Sequence, residues 1–156
     1  MEPFSVSVAG PTDCRECAPL LAEQLREHGV TSSAEHLLRI LEDVAGADTG
    51  RGFLMLARAE SGRVIGVAYV ATILSAEHCG PVAWLEELYV MPDYRRHGVG
   101  TALVTSVLER AQKTGMVAID LEVDSDHNQA IPLYRRFGFR RVERSRWVRN
   151  LQNDVA

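Results

Sequence analysis

Two common phosphate-binding signatures are missing from this 156-residue chain. It has neither G-x-G-x-x-G nor G-x-x-x-x-G-K-[ST], which sets aside the usual dinucleotide fingerprint and the P-loop. No apolar run is long enough to span a bilayer, and no charged start leads into an apolar core. Neither a transmembrane helix nor a secretory leader is therefore expected, and the cytoplasm is the default compartment. The three cysteines are an odd number, which argues against a disulfide framework. Positive charge is in deficit, 17 Lys and Arg against 21 Asp and Glu, net −4, unlike a general nucleic-acid binder. Internal repeats, low-complexity tracts and linkers are also absent. The remaining composition, 46% hydrophobic and 24% charged, is that of a globular protein, and the length suits one domain, 1–156, with its own core.

The chain is organised around residues 84–115, WLEELYVMPDYRRHGVGTALVTSVLERAQKTG. Trp84, Leu85, Leu88, Tyr89 and Val90 predict a strand. Met91-Pro92-Asp93 breaks it, since proline lacks a ladder donor and fixes φ. Val99, Leu103, Val107 and Ala111, with Ala102, Val104 and Leu108 beside them, form a helical stripe that Lys113 and Gly115 close. Between strand and helix stand Arg95, Arg96, His97, Gly98 and Gly100. A helix start carries unpaired N–H groups and the positive dipole end, glycines let a ligand approach, and arginines add charge. The unit thus predicts a phosphate or pyrophosphate site. The plain alternative is a tight turn with solvated arginines.

Arg95-x-x-Gly98-x-Gly100, following Glu86-Glu87-Leu88-Tyr89-Val90 and Pro92-x-Tyr94, resembles the acetyl-CoA motif of the GNAT N-acetyltransferase superfamily, Gln/Arg-x-x-Gly-x-Gly/Ala. Leu133-Tyr134-x-x-x-Gly138-Phe139 is similar to a second block of that family at the expected distance.

Elsewhere, alternation over 4–9 predicts a strand, and Leu20, Leu21 and Leu25 a helix starting at Pro19 and ending near His28-Gly29. Ser32-x-x-Glu35 reads as a capping box opening a second helix that ends at Gly46. Two strands, 53–59 and 63–74, flank Glu60-Ser61-Gly62, with Gly66 marking a bulge or a close backbone approach. Residues 75–81 read as a polar loop. Val117, Ile119, Leu121 and Val123 predict a strand with one buried face, 131–137 a short helix ended by Gly138, and 139–148 a last, arginine-rich strand. The fold class is therefore α/β (α+β by some schemes). The resemblance implies a mixed, mostly antiparallel sheet with a central splayed parallel pair, the strands at 84–90 and 117–123, and helices on both faces. In such a fold the pantetheine arm lies in the gap and pairs with exposed backbone, as an added strand would.

Acetyl transfer to an amine needs a deprotonated amine, placed donors for the carbonyl oxygen, and a proton or donor for the departing thiolate. Adjacent strand positions face opposite ways, so one of Glu86 and Glu87 should point into the cleft as the base. Resemblance to polyamine-type enzymes favours Glu86, and a solvated strand glutamate is the alternative for either. The resemblance further implies that Leu88, Tyr89 and Val90 contact the pantetheine arm, with the Val90 N–H polarising the acetyl carbonyl. It implies that Arg95 opens the motif and that the backbone of Arg96, His97, Gly98, Val99, Gly100 and Thr101 cradles the pyrophosphate. Tyr134 matches the family's tyrosine near the sulfur, the general acid, against a plain reading as a core aromatic. Where the family often carries asparagine this chain has His127, so Asn128 and His127 compete for the cofactor arm, or His127 caps a helix with Asp126. Arg135 or Arg136 could meet the adenosine 3′-phosphate, although the arginines from 135 to 149 also suit a solvated edge. Cys14-x-x-Cys17 lacks a second metal-type pair, and Cys79 and His78 stand apart, so no metal is expected. The implied function is transfer of an acetyl group from acetyl-CoA to a primary amine of a small molecule, by direct attack in a ternary complex. Acetylation of a protein N-terminus or lysine, or a non-catalytic acyl-CoA sensor, are the alternatives. Whether the chain works as a homodimer is left open.

Overall fold

A computed structural model describes residues 2–45, 50–124 and 128–151, and the chain divides into two compact units, 1–122 and 123–156. In the first unit β1 (Phe4–Val8) leads to α1 (Cys14–Glu27) and α2 (Ala34–Ala45), then β2 (Gly52–Ala59), β3 (Val64–Ser75), β4 (Gly80–Val90), α3 (Val99–Lys113) and β5 (Ala118–Leu121). The strands form one sheet in the order β1-β2-β3-β4-β5, antiparallel except for the parallel β4-β5 pair.

The alternation of apolar residues decides which helix covers which face. Leu54, Leu56, Val67 and Tyr89 join Cys17, Leu21, Leu41 and Val44 in one buried cluster, so α1 and α2 cover that side. Gly66 faces the other way. A Cβ there would lie 3.0 Å from the Tyr89 carbonyl oxygen, 3.1 Å from Leu103 and 3.3 Å from Val99. Gly66 is thus the close backbone approach expected of it, letting α3 sit directly on the sheet. The register also slips beside it, because Ala57 pairs with Gly66 and Arg58 with Val64. The α3 stripe is as expected: Val99, Leu103, Val104, Val107 and Ala111 are buried, and Gly115 adopts φ +77 just past the helix end.

Several boundaries differ from the sequence reading. Pro19 lies inside α1 rather than opening it. Its buried stripe, Cys14, Cys17, Ala18, Leu21 and Ala22, gains more from packing than one lost N–H costs. The α2 cap is Ser33, not Ser32: Ser33 Oγ accepts from the His36 N–H at 3.1 Å, so Glu35 is not the capping-box partner. Gly46 lies outside the described residues. The expected loop 75–81 shrinks to a tight connection, since β3 and β4 pair out to Ser75↔Gly80. β5 is shorter than expected, all four of its residues are half-buried, and Val117 is 55% exposed. It pairs on one edge only, which places the parallel pair at the margin of the described sheet rather than its centre.

The second unit holds a 3-10 turn at 128–130 and α4 (Ile131–Arg136). The strand expected over 139–148 is not formed. Residues 139–151 carry neither helix nor strand, and Val142, Trp147, Val148 and Leu151 are exposed. With Arg140, Arg141, Arg144, Arg146 and Arg149 in the run, like charges repel, and the exposed apolar side chains gain no burial to repay ordering a strand.

Candidate active site

The site begins at an irregularity in β4. Leu85 pairs with Val70 and Leu88 with Ala68, whereas Glu87 pairs with Tyr69 and the register skips Glu86. Val70 and Ala68 are two apart and share a face, so Leu85 and Leu88, three apart, also share one. The extra residue is a β-bulge. Glu86 and Glu87 together fill one place on the opposite face, the side covered by α1 and α2. The expectation that these two glutamates face opposite ways therefore fails, because the bulge suspends strict alternation. Glu86 is the exposed member of the pair and Glu87 is half-buried.

The bulge coincides with the end of the parallel pairing. β5 is in register with β4 from Val82↔Ala118 to Leu85↔Leu121 and no further, while β4 runs on to Val90. The Val117 N–H donates to the Pro81 carbonyl at 2.8 Å, whereas the Met91 N–H donates to the Ile65 carbonyl of β3 at 2.9 Å. Edges alternate along a strand, so the backbone groups of Leu88 and Val90 point to the side that β5 has left. The Val90 carbonyl there accepts from Arg95 Nε at 2.8 Å. Tyr89 turns its backbone to β3 and buries its ring, 5% exposed, in the α1–α2 cluster rather than at the open edge.

Past Val90 a 3-10 turn, Pro92–Tyr94, is tied down from afar. Tyr94 Oη donates to Glu2 Oε1 at 3.0 Å, and the same carboxylate accepts from the Ser61 N–H at 3.0 Å. Those hydrogen bonds hold Glu2 below the usual carboxylate range and push Tyr94 up. Arg96 adopts φ +65 and Gly98 φ +86, and left-handed residues in a turn aim successive N–H groups into an anion-binding concavity. The first bond of α3 runs from the Ala102 N–H to the Gly98 carbonyl at 2.9 Å. No side chain caps this helix and its first turn has no acidic residue. A Cβ on Gly98 would meet nothing within 4 Å, so the space above it is open. Arg95, Arg96, His97, Gly98 and Thr101 are exposed, whereas Val99 is buried and Gly100 half-buried. The turn fits a diphosphate, and the free edge of β4 fits an amide-bearing chain leading from it.

One residue near Glu86 escaped the sequence reading. Tyr69, opposite the bulge, packs on the α1–α2 cluster, and its phenol is pushed up, first by burial and then by the Glu86 charge. Its only sequence signal was an aromatic in a strand. In the second unit, Tyr134 is a half-buried residue of α4. Its ring meets that of Phe139 edge-on, centroids 5.7 Å apart, because Gly138 at φ +83 turns the chain back. Arg135 and Arg136 are exposed. Asn128 opens the 3-10 turn, while His127 and Asp126 lie outside the described residues. Cys14 and Cys17 are buried and Cys79 is exposed. Burial, above all, pushes the Cys17 thiol up to about 12.

Comparison with known proteins agrees with this geometry. The model of the acetyltransferase (GNAT) family matches residues 17–139. An aminoglycoside N(6′)-acetyltransferase type 1 of Klebsiella aerogenes is 31% identical over 117 residues, 74% of this chain and 77% of that protein. The ribosomal protein bS18 alanine N-acetyltransferase of Escherichia coli K12 is 29% identical over 98 residues, 63% and 62% of the two chains. An uncharacterized N-acetyltransferase of Methanocaldococcus jannaschii is 40% identical over 62 residues, 40% of this chain but only 27% of that longer protein. Among solved structures, an aminoglycoside N-acetyltransferase in complex with CoA superposes with a TM-score of 0.81 at 20% identity, covering 97% of each chain.

Proposed function

The chain belongs to the acetyltransferase (GNAT) family, and on that premise we propose that it is an acetyl-CoA-dependent N-acetyltransferase of primary amines, with a small-molecule acceptor. The observation that carries this reading is the edge of β4 that β5 leaves unpaired, running into an uncapped helix start at Gly98. Bound there, acetyl-CoA would supply an acyl group activated as a thioester. The backbone of Arg96, His97, Gly98, Val99, Gly100 and Thr101 holds the diphosphate, and the open edge at Leu88 and Val90 holds the pantetheine arm. The Val90 N–H donates to the acyl carbonyl oxygen, which gains negative charge as the amine adds. Glu86 takes the amine proton, directly or through water. Tyr134 protonates the departing sulfur, and Asn128 steadies the cofactor arm. Residues 1–156 act as a single catalytic domain.

A small cationic acceptor is favoured by the aminoglycoside enzyme's likeness over 74% of the chain and by two glutamates on one face of the bulge. The likeness to a ribosomal protein alanine N-acetyltransferase supports a second reading, acetylation of a protein N-terminus. Acetyl-CoA-dependent thiol release with a panel of polyamines, aminoglycosides and short peptides separates them. Turnover restricted to the polyamines and aminoglycosides supports the first reading and turnover restricted to peptides the second. Saturable acetyl-CoA binding without release on any acceptor would make the chain a sensor.

A further inference from the structure

Arg95 is held by Val90, Glu27 and Tyr89, and none of these contacts points to a phosphate. Its Nε donates to the Val90 carbonyl at 2.8 Å. Its Nη2 reaches both carboxylate oxygens of Glu27, at 2.9 and 3.1 Å. Its guanidinium carbon stands 5.4 Å from the centre of the Tyr89 ring. Glu27 is the last residue of α1, where a carboxylate meets the negative end of its own helix dipole and is locally disfavoured. Its partner on the β4–α3 turn offsets that. The ion pair is half-exposed on both sides, so it adds little to global stability. What it can do is geometric. A planar guanidinium holds two acceptors in different directions at once, which a lysine ammonium on its flexible stem does less well.

We propose that Glu27 and Arg95 are a positioning pair that locks the open end of β4. Resting on the acetyl-CoA reading above, the pair aligns the Val90 N–H with the acyl carbonyl. The Val90 carbonyl and N–H leave the strand on the same edge, so fixing the first fixes the second. Because Glu27 ends α1, the same pair ties the helix preceding the α1–α2 connection to the peptide that serves the acyl group. Arg95 is then a strut within the site and not a ligand of the diphosphate.

Glu27→Gln is the informative variant, because, without touching the turn, it removes the charge and one of the two acceptor oxygens that hold Arg95. Three quantities decide: coenzyme A affinity by calorimetry, kcat with any accepted amine, and hydrogen exchange without ligand at the Met91 amide, which shares its peptide group with the Val90 carbonyl and donates to Ile65. We expect coenzyme A affinity within about twofold of the parent and kcat lower by about tenfold, the scale of a misplaced reacting group, with faster exchange at Met91. Arg95→Lys should reproduce this pattern, and the double variant should be no worse than either single one, as for two residues acting as a unit. Tighter coenzyme A binding by Glu27→Gln with unchanged exchange would mean that Glu27 merely withholds Arg95 from a phosphate, overturning the proposal. So would no change in any of the three. If the parent itself fails to bind coenzyme A, the acetyl-CoA reading falls, and the Met91 exchange comparison still decides whether the pair locks β4.

Discussion

Tyr134→Phe removes one hydroxyl and keeps the ring that meets Phe139. If the phenol protonates the sulfur, kcat should fall by about 10² or more while coenzyme A affinity changes little. An equal loss in both would make Tyr134 a packing residue. The cysteines give a test that needs no substrate. Cys79 is exposed and the other two are buried, so a thiol reagent should modify one cysteine per folded chain, and a second fast equivalent would contradict the burial. The Cys17 thiol, raised from 9.0 to about 12, also sets a pH dependence. Below about pH 9 it is protonated whether the chain is folded or not, and its contribution to stability is intact. Between 9 and about 12 only the unfolded chain releases the proton, so stability falls as pH rises. Urea unfolding at pH 8 and 10 should show that loss, reduced in Cys17→Ala. Sequence offered Glu86, Val90, Gly98 and Tyr134 as candidates because spacing and glycine identity survive without coordinates. It could not show Glu27 beside Arg95 or Tyr69 opposite the bulge, since those meetings depend on register between distant segments.

The helix that carries the turn is only as well placed as its seat. Leu103 is fully buried, and Leu103→Ala should cost about 2–5 kcal/mol, read as a lower melting temperature. Gly66→Ala forces a Cβ against the Tyr89 carbonyl and two α3 side chains and should cost about 1–3 kcal/mol. It lifts α3 from the sheet, so coenzyme A affinity should fall with stability. Gly98→Glu separates the two effects. The φ of +86 penalises any side chain by about 1–2 kcal/mol, and the added carboxylate repels a diphosphate. Calorimetry should show at least a tenfold weaker coenzyme A, and an unchanged affinity would move the diphosphate elsewhere. Helices and strands were readable from periodicity, including the α3 stripe and the Gly66 approach. The α1 start and the α2 cap were not, because tertiary packing outweighs one proline and because Ser32 and Ser33 offer the same chemistry one residue apart.

The two units should answer differently to protease. The first has its core between helices and sheet, whereas residues 140–149 offer exposed arginines in a segment with no helix or strand. Limited trypsin digestion should therefore cut first within 140–149, and a first cut in β2 or β3 would contradict this burial pattern. The misjudged strand at 139–148 shows what sequence leaves out: a place in the chain order can suggest a strand, but pairing makes one. The bulge at Glu86 has a consequence of the same kind. One surplus residue acts as a wedge driven into the sheet, since straight β4 would invite β5 to keep zipping past Leu121. Deleting Glu86 should give a well-folded molecule whose slot has healed shut, sound as architecture and blind to coenzyme A.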